Sequence, residues 1–151
     1  MLKALEARRH MDRLSTIERS ALMRRVRQSG TKPELAVRRA LHALGYRCRL
    51  SWQGLPGRPD IIFTKRRMAI LVHGCFWHQH PGCRHATVPG TRTEYWVPKF
   101  QANRSRDERL ADQARALGWD YRVIWECETR DPAKLRNQLI SLLGPAVSTG
   151  R

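Results

Sequence analysis

Asp60-Ile61-Ile62-Phe63-Thr64-Lys65-Arg66-Arg67-Met68-Ala69-Ile70-Leu71-Val72-His73 reads as two apolar strands joined by a short basic turn. Lys65-Arg66-Arg67 is short enough for a hairpin, and both arms are rich in residues that pack well in a sheet. If the hairpin is symmetric about its turn, Asp60 lies opposite Val72 or His73, with facing Cβ atoms about 5 Å apart. Two polar residues then meet at the open end of a buried hairpin.

Upstream, Gln53 to Pro59 is broken by Gly54, Pro56, Gly57 and Pro59 into a loop, and Tyr46 to Trp52 alternates as a further strand. Thr31 caps a helix closed by Gly45; Pro33 suits its first turn and Glu34 can reach back to the cap. Glu34 shares a face with Val37, Leu41 and Leu44, so a carboxylate lies on the apolar stripe. Residues 15 to 27 form an earlier helix, with Ser15 and Glu18 in capping-box spacing, Ile17, Leu22 and Val26 as buried positions, and Ser29-Gly30 as its end.

Downstream, Gly74 to Tyr95 is a long segment rich in Cys, His, Gly and Pro, and loops of that length are usually functional or disordered. A helix follows from Pro98 to Leu117, stopped by Gly118, with Phe100, Asn103, Asp107, Leu110, Ala114 and Leu117 on its inward stripe. Trp119 to Trp125 is an apolar strand, and Asp131-Pro132 starts a last helix that ends at Gly144. This order gives an α/β fold, a mixed central sheet flanked by helices. It makes one domain over residues 15–144, with flexible tails at 1–14 and 145–151.

The chain has 151 residues and is 41% apolar, enough for one modest core. Twenty-nine Lys and Arg against thirteen Asp and Glu leave a formal charge of +16, spread along the chain. Nearly all of the excess is Arg, whose planar guanidinium grips phosphate bidentately, so the expected partner is a nucleic acid. No stretch pairs a basic face with a strong apolar one, as a membrane-surface helix would. No apolar run approaches the roughly 20 residues that span a bilayer, and the first residues lack the apolar core of a signal peptide. A soluble, cytoplasmic protein is expected, and in that compartment clustered Cys and His more often hold metal than form disulfides.

Cys75, His80, Cys83 and Cys127 suit a tetrahedral, structural Zn²⁺, with His78 as the alternative imidazole and Cys48 left to the core. Asp60, a carboxylate at the mouth of an apolar strand, suits Mg²⁺, a hard cation that takes oxygen ligands. Glu34, His73, His78 and Asp107 fall on neighbouring positions, where an imidazole could take a proton from water while the metal screens a phosphate. Phe76-Trp77 and Tyr95-Trp96 flank the Cys/His loop and are either core or a platform for bases.

Leu55 to Asp60 (LPGRPD), His73 to His80 (HGCFWHQH), Thr91 to Trp96 (TRTEYW) and Val123 to Cys127 (VIWEC), in that order, resemble the signature segments of the very-short-patch repair, or Vsr-type, DNA mismatch endonucleases. The resemblance spans roughly residues 15 to 143. It implies a restriction-endonuclease-like fold with a structural zinc, Mg²⁺-dependent cutting, and a nick 5′ of the mismatched T at T:G pairs left by deaminated 5-methylcytosine. By motif, Asp60 and the backbone carbonyl of Val72 are implied to bind Mg²⁺, His78 to act as general base, and His73 to face the phosphate. Glu34 is implied to support metal-bound waters and Asp107 to orient His78. Cys75, His80, Cys83 and Cys127 would hold zinc. Phe76, Trp77 and Trp96 would wedge into the duplex, with Asn103 as a further DNA contact.

The sequence departs from a known member of the family at Val72, where that member has Thr, and by the extra Pro81-Gly82 step. Double-stranded DNA with a T:G mismatch is the implied partner of a monomer, alongside other mismatch-repair proteins. A restriction-type enzyme that breaks both strands is the alternative on the same fold. A zinc-stabilised DNA-binding module without catalysis is a third reading, and it leaves Asp60, His73, His78 and Asp107 without a shared purpose.

Overall fold

The computed structural model describes residues 14–26 and 28–146; most of both expected tails, and Arg27, lie outside the described residues. Four helices, α1 (Thr16–Arg25), α2 (Lys32–Ala43), α3 (Thr93–Ala116) and α4 (Pro132–Leu143), surround the strands β1 (Ile61–Phe63), β2 (Met68–His73) and β3 (Asp120–Trp125). The three strands form one sheet in the order β1-β2-β3. β1 and β2 are antiparallel, and β2 and β3 are parallel. A parallel neighbour requires a crossover, which α3 provides.

Alternation along the strands divides the core in two. Ile61, Phe63 and Ile70 pack with Ile124 against Val37 and Leu41 of α2 and Leu135, Leu139 and Leu143 of α4. Ile62 and Ala69 point the other way, toward Leu55, Ala114 of α3 and Trp119. Leu41 and Ile61 are fully buried, and truncating either to Ala would cost about 2–5 kcal/mol.

Helix ends follow local chemistry. Ser15 and Glu18 form the expected reciprocal capping box, Thr31 caps α2, and Asp131 accepts the Ala133 and Lys134 N–H groups at the start of α4. Gly45 and Gly144 take positive φ at the ends of α2 and α4, a conformation that glycine adopts without a Cβ penalty.

Four expectations are corrected. Ile17, Leu22 and Val26 are exposed, Ile17 at 83%, because among the described residues no element packs over that side of α1. Tyr46 to Trp52 is not a strand: among its described residues only Arg49 bridges, exchanging both backbone hydrogen bonds with Ile62. α3 begins at Thr93, five residues before Pro98, and its first turns carry the buried Trp96. Leu117 lies beyond the end of α3 and is exposed.

Candidate active site and metal centre

Ile61 faces Ile70, so Asp60, one step further out, comes level with Leu71 rather than Val72 or His73. Its side chain nevertheless reaches Val72, whose N–H donates to Oδ2 at 2.7 Å. The turn that delivers Asp60 is tight: Gly57 has φ +75, and a Cβ there would meet Leu110 of α3 at 2.7 Å. Burial pushes the Asp60 pKa up to about 6; the Val72 N–H, Arg38 and His78 oppose that rise, and the neighbouring Glu34 charge adds to it.

Glu34 is 3% exposed. Its carboxylate accepts the Gly30 N–H at 2.8 Å and the Thr31 hydroxyl at 3.1 Å, and pairs with Arg38 at 3.3 Å. It therefore serves the helix start and still places its charge beside Asp60.

At the end of β2, His73 is 7% exposed, and its ring stacks on His78 with centroids 3.8 Å apart and planes 9° from parallel. His78 Nδ1 lies 2.6 Å from Asp107 Oδ2. One turn earlier on α3, Asn103 donates to the Trp77 carbonyl at 3.0 Å. The polar pair that interrupts the α3 stripe thus grips two successive residues of the Cys/His loop. Burial lowers the His73 pKa to about 4, with the adjacent His78 charge acting in the same direction. At Asp107, burial works to raise the pKa, but the hydrogen bond and charge of His78, together with the His73 and Arg106 charges, outweigh it and the net shift is downward.

Ligand atoms of Cys75, His80, Cys83 and Cys127 lie within 4.8 Å of one another, and so do those of His73, His78 and Asp107. Asp60 and Glu34 belong to neither group. His80 Nδ1 is 3.7 Å from Cys75 Sγ and 3.4 Å from Cys127 Sγ, so the imidazole brought to these sulfurs is that of His80, while His78 lies in the other group. Burial, then the neighbouring sulfurs, push the Cys127 thiol up to about 12. Such a cluster favours a bound cation, which would hold the sulfurs as thiolates. Pro81 and Gly82 form an exposed turn beside it, with Gly82 at positive φ, and the extra step leaves the four ligands together.

The family profile described as DNA mismatch endonuclease Vsr matches residues 11–84. Over 135 residues the chain is 49% identical to the Type II nicking enzyme V.XorIIP of Xanthomonas oryzae pv. oryzae, covering 89% of this chain and 98% of that protein. It belongs to the DNA mismatch endonuclease Vsr family. The Escherichia coli (strain K12) DNA mismatch endonuclease Vsr is 37% identical over 123 residues, covering 82% of this chain and 78% of that protein. The Type II nicking enzyme V.NmeAIP of Neisseria meningitidis is 33% identical over 132 residues, with 87% and 94% covered.

In this Vsr-family chain the aromatic pairs form one cluster. Phe76 meets Trp77, Trp96 and Phe100 edge to face at 5.1–5.4 Å. Lys99 lies over Trp77, Tyr95 and Trp96, and Arg19 of α1 lies over Trp96. Trp96 is 3% exposed and its indole N–H has no hydrogen-bond partner among the described residues; Trp77 and Phe76 are half-buried. Sequence reasoning singled out neither Arg38, which touches Glu34 and is felt by Asp60, nor Trp125, which packs on both His73 and His80. The VIWEC segment flagged Trp125 without giving it a use. No helix among the described residues is long and apolar enough to cross a membrane.

Proposed function

We propose that the chain is a Mg²⁺-dependent endonuclease that nicks one strand of duplex DNA 5′ of the mismatched T at T:G pairs. Family membership supports a DNA-nicking role in mismatch repair. The observation that carries the chemistry is His78, bonded to Asp107 and stacked on His73 beside Asp60.

With Nδ1–H donated to Asp107, Nε2 of His78 keeps its lone pair and accepts a proton from the attacking water. The carboxylate stabilises the imidazolium that results. His73 holds its proton weakly, so it stays neutral at pH 7 and places no second cation 3.8 Å from that imidazolium. A neutral His73 can still donate a ring N–H to the scissile phosphate.

Mg²⁺ would be held by the Asp60 carboxylate and the Val72 carbonyl, with Glu34 orienting its waters, and would supply charge that screens the phosphate. Asp60 suits that ion: a buried carboxylate next to a second one is relieved by a divalent cation. Cys75, His80, Cys83 and Cys127 fit structural Zn²⁺. Bonds of about 2.3 Å to sulfur and about 2.0 Å to nitrogen at tetrahedral angles set S···N edges of about 3.5 Å, close to the 3.7 and 3.4 Å found here. The mixed sheet between helices is compatible with a restriction-endonuclease-like fold.

Supercoiled circles and short duplexes, identical except for one T:G pair, test the reading. Mg²⁺ should give nicked circles and a single cut strand from the mismatched duplex. Linear circles would favour the restriction-type alternative, and uncut but bound DNA the non-catalytic module.

A further inference from the structure

Trp125 has no part in the chemistry above, yet it connects the two clusters. In the parallel pairing of β2 with β3 it stands opposite His73. Its indole stacks on the His80 imidazole, with centroids 4.2 Å apart and planes 6° from parallel. It also meets the His73 ring edge to face, at 5.5 Å and 74°. A column of rings thus runs from His78 through His73 and Trp125 to His80, whose Nδ1 faces the sulfurs of Cys75 and Cys127. The backbone that carries the indole is anchored in turn: the Trp125 N–H donates to the Glu128 carboxylate at 2.8 Å, and Gln138 of α4 donates to the same oxygen at 3.1 Å.

We propose that Trp125 is a positioning residue that sets the orientation of the His73–His78 pair from the Cys/His cluster. The proposal rests on the reading that this pair serves phosphodiester cleavage. An imidazole turns easily about its last torsion, which is broad and roughly two-fold. A ring stacked on its face removes that freedom from His80, and the edge contact restrains His73. Cys127, two residues beyond Trp125, is itself in the cluster, so one member of the cluster and the indole share the end of β3. A displaced catalytic group loses rate steeply, by about 100-fold for roughly 1 Å, so a tilt at His80 would be felt at His78.

Trp125→Phe keeps an aromatic face, whereas Trp125→Leu keeps only apolar bulk. In the full-length zinc-loaded protein, Trp125→Leu should lower kcat by about tenfold or more with KM for mismatched duplex little changed. It should also speed zinc release to a chromogenic chelator, and Trp125→Phe should restore both quantities. Wild-type kcat and zinc retention in the Leu variant would overturn the proposal, as would a loss of one with the other intact. If the Leu variant does not fold, the wild-type protein decides. Exchanging Zn²⁺ for the larger Cd²⁺ should move the ring-proton resonances of His73 together with those of His80; unmoved His73 signals overturn it. Failure of the nuclease reading would look different, because wild-type protein would then not nick while zinc release and ring resonances still report on Trp125.

Discussion

His78 and Asp107 are joined by a 2.6 Å contact between Nδ1 and Oδ2, although one sits in the Cys/His loop and the other on α3, 29 residues apart. That contact fixes which ring nitrogen carries the proton. Asp107→Asn keeps the shape but can present its amide N–H to Nδ1, favouring the opposite tautomer. Expected is a kcat loss on the order of 10²–10⁴-fold with little change in DNA affinity. Single-turnover nicking and a binding titration measure the two separately. Asp107→Asn with wild-type kcat would remove the orienting role.

Asp60 predicts a conflict between stability and function. Its folded pKa, about 6, lies above the unfolded value near 3.8. Above pH 6 the folded state therefore carries a charge that the unfolded state carries more easily, and folding is penalised. Below pH 3.8 the carboxyl is protonated in both states and the penalty vanishes. Asp60→Asn keeps an acceptor for the Val72 N–H without the charge. Metal-free Asp60→Asn should be more stable than wild type by about 1–3 kcal/mol at pH 7–8, converging with it near pH 4, while losing nicking. Mg²⁺ affinity of the wild type should weaken as pH falls below 6, where Asp60 takes up its proton. Denaturant midpoints across pH check the first, and calorimetric Mg²⁺ titrations the second.

The Cys/His cluster predicts about one equivalent of zinc per chain. Cys127→Ser replaces a soft thiolate with a hydroxyl and leaves three ligands, so the loop from Gly74 onward should loosen and the melting temperature should fall. Chelation of the wild type should reproduce the loss. Stoichiometry by elemental analysis and melting with and without chelator test both, and a zinc-free protein with unchanged melting would contradict the assignment.

What was legible in the sequence was what is local. Ser15 with Glu18, Thr31 with Glu34 and Asp131 with Pro132 mark helix starts because the groups that satisfy the first N–H donors lie within three residues of them. The hairpin and the Cys75, His80 and Cys83 part of the Cys/His cluster were legible for the same reason, each carrying its own spacing, whereas Cys127 joins from 47 residues beyond His80. What failed depends on distant neighbours. Ile17, Leu22 and Val26 have helical spacing, yet burial needs a facing surface that the described residues do not give α1. Tyr46 to Trp52 alternates, but it meets β1 only at Arg49, so alternation had no ladder to sustain it. The bond from Asn103, expected as a DNA contact, to the Trp77 carbonyl was not legible either, because its partner lies 26 residues away and no periodicity encodes it.

The aromatic cluster separates two roles that the sequence could not. Trp96 is almost fully buried between Phe76, Phe100 and Tyr95, with Arg19 over its ring. Trp77 is only half-buried, and its backbone is held by Asn103. Truncating a buried Trp costs about 3–5 kcal/mol, so Trp96→Ala should lower stability markedly whatever it does to DNA. Trp77→Ala should cost much less stability. If the exposed part of Trp77 probes the base stack, it should lose preference for T:G over matched duplex, because unstacking is cheapest where pairing is already poor. Trp96→Phe, which keeps apolar bulk in the cluster, then isolates any base contact of Trp96 from its packing. Melting curves alongside competition binding on matched and mismatched duplexes read both quantities. A Trp77→Ala protein that discriminates as well as wild type would assign the ring to packing and leave mismatch selection to other residues.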